Sequence, residues 1–183
     1  MELLKNTLTQ KTLKVFILIF LGTLALTISA KIKIPFYPVP MTMQTFVVLF
    51  LGLAFGYKIG IAIVTVYLLE GIIGMPVFSN SPEKGVGLIY FTGPTMGYLI
   101  GFLVAVFFAG YLNLNKNIFI TFVKLVFAVS TIYLFGILWL GTLIGWDKPI
   151  LQLGVTPFLL AEFFKISLLT LITKKIIKLR NFI

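Results

Sequence analysis

The 183-residue chain carries 15 basic and 5 acidic residues, a net charge of +10, and neither His nor Cys; 60% of it is hydrophobic, 11% is charged, and its mean hydropathy is +1.11. A soluble domain has about 25% charged and 45–50% apolar residues, so the composition excludes a water-soluble globule, and so much apolar surface excludes a disordered chain. Without Cys there is no disulfide, Cys-ligated zinc or iron–sulfur cluster, and without His the commonest general base and metal ligand are missing. The basic excess sits at the ends of apolar segments rather than along one stripe, the pattern of topology signals and not of phosphate binding, so no nucleic-acid partner is expected.

A membrane helix needs about 20 mainly apolar residues. In chain order, six candidate spans cover about 15–30, 41–55, 59–75, 94–112, 118–144 and 156–172 of a single transmembrane domain, residues 1–183. The first span follows Lys5, Lys11 and Lys14 like a signal peptide, but Ile28 stands where a cleavage site wants a small residue, so it reads as a retained helix. The second is short. The fifth has Gly136 and Gly141 as possible points of tilt or breakage.

With the N-terminus inside, cytoplasmic segments hold Lys5, Lys11, Lys14, Lys58, Lys116, Lys174, Lys175, Lys178 and Arg180, against Lys31, Lys33, Lys84 and Lys148 outside. Nine against four satisfies the positive-inside rule and predicts that both termini are cytoplasmic. The longest link, 76–93, then falls outside; its Pro, Ser, Asn and Gly residues suit either a functional loop or a solvated connector.

Charged side chains inside a span are costly and are functional candidates by default. Glu70, Glu162 and Lys165 qualify, with Gln44 and Tyr98 as weaker candidates. At a rise of about 1.5 Å per residue, Gln44 lies about 6 Å in from Pro40, and Glu162 and Lys165 lie roughly 8 and 12 Å below Pro157. Tyr98 enters to a depth like that of Gln44, and Glu70 falls near the outer end of the third span, so all five converge on the outer part of the membrane. Glu162 and Lys165, spaced i,i+3, share a helix face. They read either as a structural ion pair or as a pocket wall offering donors and acceptors to a ligand with N–H groups and a carbonyl or carboxylate. Glu70 reads equally as a helix-end carboxylate, Tyr98 as an interfacial aromatic and Gln44 as a helix-to-helix hydrogen bonder. Lys124 can snorkel to the inner interface.

Small residues form a second pattern. Gly93, Gly97 and Gly101 recur every four residues on the fourth span and suit close internal packing, while Ala25 and Ser29 on the first have the spacing of a face that docks a neighbour.

Four strings then read together: Pro38-Val39-Pro40-Met41-Thr42-Met43-Gln44-Thr45, Tyr67 to Phe78 (YLLEGIIGMPVF), Thr92 to Phe102 (TGPTMGYLIGF) and Phe158 to Lys165 (FLLAEFFK). In this order and spacing they resemble the BioY family, the biotin-specific S-components of energy-coupling factor (ECF) transporters, over about residues 21–171. The resemblance implies an all-α membrane protein with the six-helix S-component fold, in a bacterial cell membrane, without enzymatic activity or cofactor. It also implies a biotin pocket near the external face and coupling to a transmembrane T-component and two ABC ATPases. By the same resemblance Glu162, Lys165 and Asn80 are implied as biotin contacts. Tyr98 matches the family's GPTxGY tyrosine, and Ala25 and Ser29 match its T-component contact. Two residues depart from the family pattern: Glu162 stands where Asp is usual, one methylene longer, and Met96 where Gly is common. An S-component for another vitamin is the alternative.

Biotin's chemistry suits such a site. Its ureido ring has two N–H donors and a carbonyl, its thiophane ring and chain are apolar, and its chain ends in a carboxylate, so Glu162 can accept a ureido N–H, Lys165 or Asn80 can serve the carbonyl or carboxylate, and Tyr98 and Phe91 can cover the rings. The chain has no G-x-x-x-x-G-K-[ST] P-loop, so ATP hydrolysis falls to the partners. An intramembrane enzyme is disfavoured, since carboxylates are few and Ser167, two residues from Lys165, does not face it. A channel or assembly protein without a ligand would gain no thermal protection from biotin.

Overall fold

The computed structural model describes residues 2–112 and 117–182, with side chains from Gln10 to Asn181. It is mostly helical: α1 (Glu2–Lys31), α2 (Gln44–Ile72), α3 (Met96–Tyr111), α4 (Ile118–Ile144), the short α5 (Ile150–Gly154) and α6 (Leu159–Ile177). Strands β1 (Lys33–Ile34) and β2 (Met41–Thr42) pair antiparallel, and 3-10 turns cover Gly87–Thr92, Thr156–Phe158 and Lys178–Phe182.

The second and third spans appear as one element, α2, broken at Gly56, whose φ of 77° and ψ of 171° are not helical. The break is a full reversal. The Gln44 amide donates to the Tyr67 hydroxyl at 2.8 Å, whereas 23 residues of straight helix would separate them by about 35 Å. A methyl group at Gly60 would likewise stand 3.4 Å from the Gly52 Cα. The arms, residues 44–55 and 57–72, are thus antiparallel neighbours. Positive φ is open to Gly at little cost, which is why the turn falls there.

By length and composition, four stretches among the described residues can cross a membrane: Gln10–Lys31, Gln44–Ile72, Ile118–Ile144 and Ile150–Asn181; Met96–Tyr111 is shorter. The expected count of six differs because α2 holds two of the expected spans and α3 has only 16 residues. The second span also begins later than expected: Met41 and Thr42 belong to β2, and the helix starts at Gln44. The last expected span opens with a 3-10 turn before α6.

The core runs along the seams of α2 with α3 and of α3 with α4, with Leu49, Leu53, Ile63, Val64, Ala105, Val106, Leu125 and Ile132 essentially sealed from solvent. Gly97 and Gly101 lie against the α4 backbone at Phe135 and Ile132, and the Gly93 carbonyl accepts the Trp139 indole N–H at 2.9 Å, so this glycine series serves internal packing. Outward faces carry large exposed apolar residues, including Phe16, Phe20, Phe119, Phe127, Phe164 and Leu171, as a lipid-facing helix requires.

The ends of the bundle differ. Lys31, at the end of α1, donates to carbonyls of the link that follows α2. Arg180, in the last turn, donates to the carbonyls of Gly52, Leu53 and Gly110, capping the C-terminal ends of the first α2 arm and of α3, where a cation suits the helix dipole. The start of α1 and the last described turn therefore lie at the end of the bundle away from Lys31, together with Lys58 beside the Gly56 turn. Lys116 lies outside the described residues, as does the side chain of Lys5.

Candidate ligand-binding site

At the Lys31 end, a cavity of about 540 Å³, counted with its open mouth, reaches down among the helices. A mainly apolar lining with a few placed polar groups is the kind that takes a small organic ligand. Its walls come from every layer: Val39, Pro40, Met41 and Thr42 around β2, Gln44 and Thr45 at the start of α2, Phe78, Ser79 and Tyr90 from the link, Tyr98, Leu99 and Phe102 from α3, Ile132 and Tyr133 from α4, and Phe158 and Glu162 at the start of α6.

Its charge sits at the α6 wall. Lys165 and Glu162 form an i,i+3 ion pair of 2.8 Å with both side chains under 10% exposed. Glu162 Oε1 also accepts from the Thr45 hydroxyl at 2.7 Å, and Lys165 donates to the Thr42 carbonyl at 2.7 Å and to Thr45 Oγ1 at 3.1 Å. This network ties α6 to the start of α2 across 120 residues of sequence. Glu162 Oε2 is different. Among the described residues it is the one buried side-chain oxygen or nitrogen with no hydrogen-bond partner. A buried carboxylate oxygen left unpaired is costly; the Tyr133 hydroxyl, on the facing wall, is a further donor of the chain beside this carboxylate, and Oε2 remains an acceptor to which a ligand can also donate.

The rest of the cavity is apolar and aromatic. Phe78 stacks on Tyr90 with centroids 4.6 Å apart and meets Tyr67 and Phe91 edge to face at 5.3 and 5.4 Å. Tyr133 stacks on Phe158 and meets Tyr98 edge to face. The link 76–93 forms the roof. Lys31 donates to the Phe78 and Ser81 carbonyls, both at 2.8 Å, and Lys33 to the Ser79 carbonyl at 2.7 Å and Asn80 Oδ1 at 3.1 Å. Two lysines that first read as topology signals thus moor the loop.

Of the candidate residues, the structure brings Glu162, Gln44 and Tyr98 to one cavity, with Lys165 bonded directly behind Glu162. Tyr98 presents its ring, since its hydroxyl donates to the Gly154 carbonyl at 2.9 Å. Gln44 links to Tyr67, which donates onward to the Val77 carbonyl at 3.1 Å. Asn80 lines a smaller adjoining pocket at the mouth. Glu70 is not part of the lining: the inward stripe of its arm is Gly60, Ile63, Val64, Tyr67 and Gly71, and Glu70, half-buried, sits beside it. On α1, Ser29 is only 3% exposed and its hydroxyl donates to the Leu26 carbonyl of the same helix, while Ala25 is half-buried. Sequence reasoning did not single out Thr42, Thr45, Tyr90 or Tyr133. Thr42 and Thr45 flank Gln44 in the PVPMTMQT string, and that proximity was the available signal.

A model of the BioY family matches residues 4–182 of this chain. The chain belongs to the BioY family. Among BioY relatives, the probable biotin transporter BioY of Pyrococcus horikoshii is 34% identical over 149 residues, covering 81% of this chain and 87% of the relative. The biotin transporter BioY of Thermotoga maritima is 34% identical over 158 residues, covering 86% and 92%. The fold is also that of a crystal structure of the S-component for biotin from an ECF-type ABC transporter, with a TM-score of 0.76, 24% identity, and coverage of 92% of this chain and 93% of that one.

Proposed function

We propose that this chain is the biotin-binding, substrate-specific membrane subunit of an ECF-type vitamin uptake transporter. The observation that carries the proposal is the unpaired, buried Glu162 Oε2 at the wall of an aromatic cavity, joined to family membership and to relatives named as biotin transporters. In this reading the ureido ring gives an N–H to Glu162 Oε2. Thr45 and Lys165 hold that carboxylate in place, the rings of Tyr98, Tyr133, Phe78 and Tyr90 cover the bicyclic core, and Gln44 and Asn80 supply further polar contacts.

The subunit crosses the membrane six times, as α1, the two arms of α2, α3, α4 and α6. Both termini are cytoplasmic and the cavity opens outward, in keeping with the basic residues gathered at the Arg180 end. A transmembrane T-component and two ABC ATPases supply the energy, since the chain has no P-loop of its own. Because Ser29 is covered, docking of the T-component along α1 uses the exposed row that includes Leu21, Leu24 and Ile28 rather than Ser29 itself.

Calorimetric titration of the detergent-purified protein with a panel of vitamins tests the function. One-to-one binding of biotin ahead of every other vitamin is expected. Tighter binding of a different vitamin would transfer the same architecture to that substrate, and folded protein that binds none would overturn the proposal.

A further inference from the structure

The link 76–93 has two faces, and only the inner one is used by the cavity. Phe78, Ser79 and Tyr90 line the roof, and Tyr90 is 5% exposed. In the same 3-10 turn, Gly87–Thr92, the two residues before Tyr90 face the other way: Leu88 is 70% exposed and Ile89 66%. Large aliphatic side chains left in water forgo the free energy that burial gives them, and a contiguous apolar patch of this kind marks a surface that meets a partner or a membrane.

The neighbouring surface decides between them. Gly87 stands against the end of α2: a methyl group there would lie 3.4 Å from the Ile72 carbonyl oxygen. Val86, Leu88 and Ile89 therefore join the exposed Ile72, Ile73 and Met75 in one apolar strip, continuous with the lipid-facing side of the second α2 arm at Leu69. Glu70, half-buried a turn below Ile73, sets the level of that strip. A carboxylate avoids the hydrocarbon, so the strip lies just above its edge, in the zone where amphipathic elements bury their apolar face by about 5–10 Å. The exposed run Pro82-Glu83-Lys84 forms the polar side of the same loop. Tyr37, with the Lys84 ammonium 5.8 Å from its ring centroid, is an exposed aromatic of the type that collects at such a boundary.

We propose that the outward face of this link, centred on Leu88 and Ile89, is a membrane-binding surface seated in the lipid headgroup zone at the Lys31 end of the bundle, which is the outer leaflet in the orientation given above. The roof of the cavity is then held from two sides, by Lys31 and Lys33 from within the chain and by lipid from without. The inference concerns the partner of the loop and stands whichever ligand the cavity takes.

The chain has no Cys, so a nitroxide label can be placed at one position at a time. Leu88→Cys and Ile89→Cys are labelled and reconstituted into vesicles of phosphatidylcholine and phosphatidylglycerol, with Lys84→Cys as the water-exposed reference and Phe127→Cys, on the outward side of α4, as the lipid-exposed one. Leu88, Ile89 and Lys84 all lie outside the core, so the label displaces no core side chain. Spin relaxation is read with oxygen, which concentrates in lipid, and with a water-soluble nickel chelate present on both sides of the vesicles. The oxygen-to-nickel accessibility ratio at positions 88 and 89 is expected to be severalfold above that at position 84 and below that at position 127. A ratio at both positions equal to that at position 84 would mean a loop bathed in water and would overturn the proposal. Low accessibility to both reagents would mean that protein, such as a second copy of the chain, covers the strip, and would overturn it as well. Neither result depends on biotin binding, so the proposal can fail while the biotin reading stands.

Discussion

Lys165 and Glu162 show how one side chain holds another at a cavity wall. Lys165 neutralises Glu162, holds Thr45, and reaches the Thr42 carbonyl, so the free Glu162 oxygen is aimed by a rigid network. Removing one member of a buried pair costs about 3–5 kcal/mol. Lys165→Met, which keeps the stem and deletes the charge, is therefore expected to lower the thermal unfolding temperature in detergent and to weaken biotin binding strongly; unchanged affinity would show that Glu162 needs no such support. The pair was legible in the sequence because two charges stood out from an apolar run. Thr45 was not, because a threonine in an apolar helix is unremarkable until the fold brings α6 beside it. The loop-mooring roles of Lys31 and Lys33 were hidden for another reason: their acceptors are chiefly backbone carbonyls, which any sequence supplies.

Among the elements, α4 was the most legible. Its observed range, Ile118–Ile144, equals the expected one, since Asn117 caps the first turn by accepting from the Phe119 and Ile120 amides and Gly145, with φ of 93°, ends the last. The α2 hairpin was half-legible: two spans were expected, but the chain reverses between them at Gly56 alone, a turn too short to read from the sequence as a separate loop. At its apex nothing crowds Gly56, so a side chain there would have room but the wrong backbone. Gly56→Ala is expected to cost about 1–3 kcal/mol, the scale of a backbone held in a sparsely populated region. The measurement is unfolding in detergent, and a change near zero would mean that the turn relaxes into a common conformation. The β1–β2 pair, only two residues per strand, had no periodicity long enough to be read.

Taken whole, the molecule separates a binding end from a stapled end. Arg180 joins the C-terminal turn to the ends of the first α2 arm and of α3, remote from the cavity. Arg180→Ala should thus destabilise by about 1–3 kcal/mol, the cost of leaving buried acceptors unpaired, while biotin affinity stays near that of wild type. A comparable loss of affinity would show that the two ends are coupled. The measurement that bears most directly on the account is a structure of the protein with biotin bound. The account predicts the ureido ring inside the aromatic cavity, with one of its N–H groups at hydrogen-bond distance from Glu162 Oε2. Biotin seated elsewhere, or a Glu162 oxygen still without a partner in the complex, would contradict it.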